Sequence, residues 1–160
     1  MATENSRVLY TERTTGTTVV STELNALAND TAALVSTALS NDASDERNLL
    51  ADFMIVIAEQ AGARDGGAIS LLNVPEVNST YGDVATVQTA LIHIAHRDDG
   101  TTCSFVLDSA VTARTITVSN VKIPNGNYKV GLLNESGQAL AATGNSIFMT
   151  GKYQPASITV

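Results

Sequence analysis

Tryptophan is absent from this chain of 160 residues, cysteine occurs once, and lysine and phenylalanine occur three times each. Each scarcity closes a route. A lone Cys103 cannot form an intramolecular disulfide, so the fold must rest on its own core. With only four Tyr beside the three Phe, the aromatic platforms that sugar-active sites use are few. Sixteen acids against nine bases leave a formal net charge of −7 and no basic stripe for phosphate, so nucleic-acid binding is not expected. The longest mostly apolar run, Phe53 to Ala58, is far too short to span a bilayer. The opening Met-Ala-Thr-Glu-Asn-Ser has neither the basic nor the apolar part of a secretory signal. The chain is therefore expected to be made in a cytoplasm and to stay soluble, without a membrane partner.

What is abundant points to sheet. Twenty Thr and fifteen Val stiffen the chain at χ1 and suit a pleated surface. Apolar residues make up 44% and charged residues 16%, which is the composition of a globular chain rather than a disordered one. Charge is uneven along the length. Residues 1–110 hold fifteen acids and five bases, whereas residues 111–160 hold Glu135 against Arg114, Lys122, Lys129 and Lys152. Such asymmetry serves solubility first and could also orient copies against a partner surface.

Residues 1–16 are polar and aperiodic apart from Val8-Leu9-Tyr10, and read as an N-terminal arm. Residues 17–160 read as one domain. Thr17 to Val20 is a short strand candidate. Ser21 or Thr22 can cap a short helix that places Leu24, Leu27, Ala28 and Thr31 on one face and ends by Leu39, before the turn chemistry of residues 40–45. From there the pattern is β: Leu49–Glu59, Ala68–Val74 ending at Pro75, Thr86–Ala95, Cys103–Leu107, and Arg114–Ile123 with a bulge near Asn120. A strand through Tyr128, Val130 and Leu132 follows the Pro124-Asn125-Gly126-Asn127 turn. A final strand, Ser146–Tyr153, follows the turns at Asn134–Gly137 and Gly144-Asn145. Seven or eight short strands with regular turns predict a mainly β protein, an antiparallel β-sandwich or jelly roll with one short N-terminal helix.

Side chains with chemistry are present but poorly arranged. His93 and His96 with Asp98 and Asp99 are the best metal candidate. On a strand, positions three apart point to opposite faces, so the two histidines diverge and no metal is expected. Cys103 beside either histidine lacks the positive surroundings that make a thiolate, given the acids at 98 and 99. Neither Ser104 nor Ser109 sits in a nucleophile elbow. The carboxylates of Asp45, Glu46, Asp65, Asp98 and Asp99 fall in predicted loops. No catalytic residue, cofactor-binding residue or cofactor is expected, and the protein is not expected to be an enzyme.

The stretch Ile123 to Phe148 carries a resemblance. Pro124, Gly126, Tyr128, Lys129 and Val130, then Asn134, Ser136 and Gly137, then Leu140, Ala141, Ala142, Gly144 and Asn145 match a run of turns and strand cores. The chain there resembles a family of small virion structural proteins of tailed bacteriophages. Thr22–Ala28 and Val74–Asn78 before Tyr81 look alike as well, so that the matches, in order, cover roughly half the chain. After Phe148 the sequence departs from the family's Arg-Pro-Tyr-like ending. The resemblance implies a compact β-sandwich or jelly roll on the virion, without enzymatic activity and without functional residues to carry over. The leading expectation is a capsid decoration, or cement, protein. It would sit on the capsid surface as a homo-oligomer, a trimer being favoured, with the major capsid protein or other virion proteins as partners. A tail, neck or fibre-base component is the alternative, and a carbohydrate-binding module on the particle is a third reading.

The histidine pair generates a first prediction. Replacing His93 and His96 together by Ala should leave the metal content of the purified protein unchanged by elemental analysis. A transition metal at one per chain in the native protein, lost in the double variant, would contradict it.

Overall fold

A computed structural model describes residues 11–12, 16–42, 48–63, 66–81, 104–108 and 110–153. The chain is mainly antiparallel β-sheet, curled into a half-barrel. Its strands are β1 (Thr11–Glu12), β2 (Thr17–Val20), β3 (Thr31–Leu34), β4 (Leu39–Asn41), β5 (Asn48–Ile57), β6 (Ala68–Val77), β7 (Thr80–Tyr81), β8 (Ser104–Val106), β9 (Arg114–Lys122), β10 (Gly126–Glu135) and β11 (Ser146–Tyr153). The first sheet runs β9-β5-β11, with β1 and β2 sharing the far edge of β11. In the second, β6 and β10 are central, β3 and β4 line β10, and β7 and β8 line β6.

Alternation places the core. Ala51, Phe53, Ile55 and Ile57 of β5 and Ile147 of β11 are buried together with Ile69 and Leu71 of β6 and Tyr128, Val130 and Leu132 of β10. One apolar cluster thus takes residues from both sheets. The second sheet is also buried on its other side, where Leu72, Val74 and Leu133 pack with Ala32, Leu34 and Tyr81. That is why β6 and β10 carry buried apolar residues on both faces, with Leu71 and Leu132 on the side of the main core and Leu72 and Leu133 on the other.

Several boundaries match the sequence pattern, and the bulge is where the broken alternation of β9 puts it. Ala51 pairs with Val121 and Phe53 with Val118, so Ser119 and Asn120 together oppose Asp52. Asn120 takes φ 61, a left-handed conformation that Asn tolerates better than most residues. Pro75 does not end β6. It pairs with Tyr128, and the strand continues to a two-residue turn in which Asn78 and Ser79 both have positive φ, the geometry that joins twisted antiparallel strands. Thr11 and Glu12, assigned from sequence to the arm, pair with Tyr153 and Lys152 at the edge of β11. The predicted strand Thr86–Ala95 lies outside the described residues.

The N-terminal helix is corrected. Thr22–Leu24 forms a single 3₁₀ turn, Ala26 and Asp30 have positive φ, and the alanines at 32 and 33 belong to β3. Tertiary partners override the helix propensity of Ala here. Leu24 is fully buried, Ala26 N–H donates to Ala141 O, and Asp30 N–H donates to Asn134 O. The small side chains serve close strand approach. A Cβ at Gly131 would collide with the Ala33 carbonyl oxygen.

Buried asparagines fix the loops. Asn134 donates through Nδ2 to Leu27 O, Ala28 O and Gln138 O, and its Oδ1 accepts from Ser136 N–H and Oγ. Asn145 accepts from Ala58 N–H and donates to Ala141 O and Asn25 Oδ1. Asn41 donates to Asn48 O and Pro124 O and accepts from Asn48 N–H. Asn73 is the opposite case. It is 1% exposed on the face of β6 shared with Ile69 and Leu71, and neither its Oδ1 nor its Nδ2 has a partner among the described residues.

Two substitutions of the same residue type should therefore have different outcomes. Asn134→Ala strands several buried carbonyls and should cost about 3 kcal/mol or more. Asn73→Leu removes two unsatisfied polar atoms at similar volume and should be neutral or stabilise by about 1 kcal/mol. Urea unfolding of both variants checks the contrast, and a strongly destabilised Asn73→Leu would contradict it.

Candidate functional site

The side chains singled out in the sequence are not brought together among the described residues. His93, His96, Asp98, Asp99 and Cys103 lie outside them, as do Asp45, Glu46, Asp65 and Ser109. Ser104 is described. Its Oγ lies 2.8 Å from Ser70 Oγ, across the in-register pair that joins β8 to β6, so its hydroxyl bridges two strands.

The polar cluster that the structure does assemble is on the first sheet, on the face away from the core. Asp52 projects there because Ala51 and Phe53 face inward. Lys152 Nζ lies 2.8 Å from Asp52 Oδ1 and 2.7 Å from Oδ2, and donates to Asn120 Oδ1 at 3.1 Å. The bulge closes the cluster, with Asn120 N–H donating to Asp52 Oδ1 at 2.8 Å. Burial pushes the Asp52 carboxyl up, but Lys152, the Asn120 N–H and the Ser119 hydroxyl outweigh it and hold the group below its ordinary value. Lys152 is the more enclosed partner, its side chain 11% exposed against 30% for Asp52. The cluster adjoins a shallow trough of about 360 Å³ lined by Asp52, Met54, Thr117, Ser119, Phe148 and Thr150, among others.

A second fixed carboxylate, Glu23, ties the 3₁₀ turn to the loop before β4. Its Oε1 accepts from Ser36 N–H at 2.9 Å. Burial raises its pKa, yet hydrogen bonds from Ser36, its own N–H and Ser21 prevail and hold it at about 2.

Sequence reasoning missed the Asp52–Lys152–Asn120 cluster, although a trace was legible. Asp52 interrupts an otherwise apolar strand, and a charge in such a run needs a partner. The partner's identity was not legible, because it lies one hundred residues away along the chain. Among the described residues, no group of three or more His, Cys, Asp or Glu is placed to hold a metal ion. No protein family, curated protein or solved structure matches the chain.

The asymmetry of the ion pair orders two variants. Asp52→Asn takes the counter-charge from the more buried Lys152 and should cost about 2–3 kcal/mol, whereas Lys152→Met should cost about 1–2 kcal/mol. Both depressed carboxyls stabilise the fold fully above their unfolded values, 3.8 for Asp52 and 4.5 for Glu23. That contribution is lost as pH falls, for Glu23 between 4.5 and about 2. Stability of Glu23→Gln should therefore converge on that of the parent as pH falls through this window. A gap that persists at low pH would contradict the assignment.

Proposed function

We propose that the chain is a non-enzymatic structural protein of a tailed-bacteriophage particle, a decoration protein that binds the outside of the head shell. Its two sheets would pack as a β-sandwich of the jelly-roll kind. The observation that carries this reading is where the pieces of the resemblance go. Thr22–Ala28 is tied to the 134–145 stretch through Asn134, Asn145 and the backbone bond from Ala26 N–H to Ala141 O. Val74–Asn78 with Tyr81 meets the 123–130 stretch, for Tyr128 pairs with Pro75 and Asn127 Nδ2 donates to Glu76 Oε2, which also accepts from the Tyr81 hydroxyl. Lys129 lies over the Tyr81 ring, 4.9 Å from its centre. Pieces far apart in sequence thus form two joints of one scaffold. A likeness of fold would look like this, and it supports a structural role for the matched positions.

A decoration role further fits the charge contrast between acidic residues 1–110 and the basic remainder, which can orient copies on a shell. A shell of repeated sites favours a symmetric oligomer, and a trimer matches local threefold positions. The test is direct. Light scattering should give a trimer for the isolated protein. Added protein should bind mature heads and raise their melting temperature, because it binds the assembled state alone. A monomer that binds no heads and occurs at about a dozen copies per particle would overturn the decoration role in favour of a tail or neck component.

A further inference from the structure

On the outer face of the first sheet, strand register sets two dissimilar rows side by side. Phe148 pairs with Met54, and Met54 with Thr117, giving a row that runs from aromatic through thioether to hydroxyl. One step along the strands, Thr150 pairs with Asp52, which faces the bulged Ser119–Asn120. Rows on one face of a sheet lie roughly 7 Å apart and neighbouring strands about 4.8 Å apart. The floor is therefore apolar on one side and carries hydroxyls and a carboxylate on the other. It is not a flat surface, for Asp52, Met54, Thr117, Ser119, Phe148 and Thr150 line the trough of about 360 Å³, at the small end of ligand sites.

The polar side is preorganised. Asp52 is held by Lys152 and by the Asn120 N–H, and the bulge that aims this N–H keeps a non-glycine residue at φ 61. Bulges and left-handed non-glycine residues recur where a strand is re-aimed toward a site. Met54 is 37% exposed and Phe148 half-buried, so the apolar row is open to a ligand.

We propose that this trough binds a single pyranose unit of a glycan. A pyranose has one face of C–H groups and a rim of hydroxyls. Its C–H face would lie on Phe148 and Met54, and its hydroxyls would meet Thr117, Thr150 and the Asp52 carboxylate edge. One aromatic residue is enough for one sugar ring, so the scarcity of aromatics limits the length of glycan bound rather than its binding. A glycan site on this face stands apart from assembly on a head and can fail or hold separately from it.

Backbone amide spectra of the full chain, titrated with the methyl glycosides of glucose, galactose, mannose and N-acetylglucosamine to tens of millimolar, test the site. At least one glycoside should shift amides confined to residues 52–54, 117–120 and 148–150. Phe148→Ala should weaken that glycoside about tenfold or abolish its binding. Phe148→Leu keeps the bulk without the ring and should also weaken it while retaining the parent's melting temperature, which covers the case where Ala unfolds the protein. Val106→Ala, at an exposed position on the other sheet, should leave binding unchanged. No perturbation by any of the four, shifts centred elsewhere, or binding insensitive to both Phe148 variants would overturn the proposal. So would a change of oligomeric state in Phe148→Ala with no glycoside bound, which would make this face an interface between copies.

Discussion

A side-chain amide cut off from water must find partners inside the protein for both its oxygen and its nitrogen, and Asn134 does so with atoms of two segments, 27–28 and 136–138. It stands at the end of β10, fully buried, where the chain leaves the second sheet for β11. Its Nδ2 takes the carbonyls of Leu27 and Ala28, which a helix at this point would have turned toward its own amides. The 3₁₀ turn and the positive φ values at Ala26 and Asp30 are the local cost of supplying them. Its main chain takes part as well, since Asn134 O accepts from Asp30 N–H and its paired neighbour is Thr31. One buried amide therefore sets where β3 begins and how the 136–140 loop folds back.

This explains which parts of the fold were legible in the sequence. Strands β2, β5, β9 and β11 are visible because each has a local signature: β-branched content, alternation, or a turn at its end. Even the bulge shows, as a break in the spacing of Ile116, Val118 and Val121. The segment 22–39 misleads because its local signature, Ala at helical spacing, is real but weak. Propensity differences of a few tenths of a kcal/mol per residue are smaller than the cost of leaving Asn134 unsatisfied. The turn at Pro124-Asn125-Gly126 was legible as a turn, yet nothing in it showed that it carries the chain from β9 in one sheet to β10 in the other. A turn signal says that the chain bends and does not say which strand it will pair with. The Asp52–Lys152 pair was illegible for the same reason: it depends on the register between β5 and β11, not on any local pattern.

The pieces on which the proposed resemblance rests, 22–28, 74–81 and 123–148, sit mostly at joints: asparagines that close loops, glycines that turn or admit a neighbour, and the Glu76–Tyr81–Asn127 contact. Residues with such duties are constrained whatever the protein binds, so a likeness confined to them concerns architecture. Specific recognition must then come from side chains that the architecture leaves uncommitted.

The two sheets differ in what they leave. The central strands of the second sheet are covered on both sides, with Leu72, Val74 and Leu133 out of reach of solvent opposite the main core. Among the described residues the first sheet is covered on one side, and its other face holds Met54, Phe148, Thr117 and a carboxylate oriented by a bulge. An ion pair at this place is a poor way to gain stability, because apolar residues of similar volume would serve a sheet at least as well. Its effect is positional: it holds a charged oxygen at a fixed point beside an apolar row, with Lys152 of β11 contacting it from one flanking strand and Asn120 N–H of β9 from the other. A fixed charge next to apolar surface discriminates among ligands by geometry, which a plain hydrophobic face cannot do. The open face of the first sheet is thus where this chain has the means to be selective.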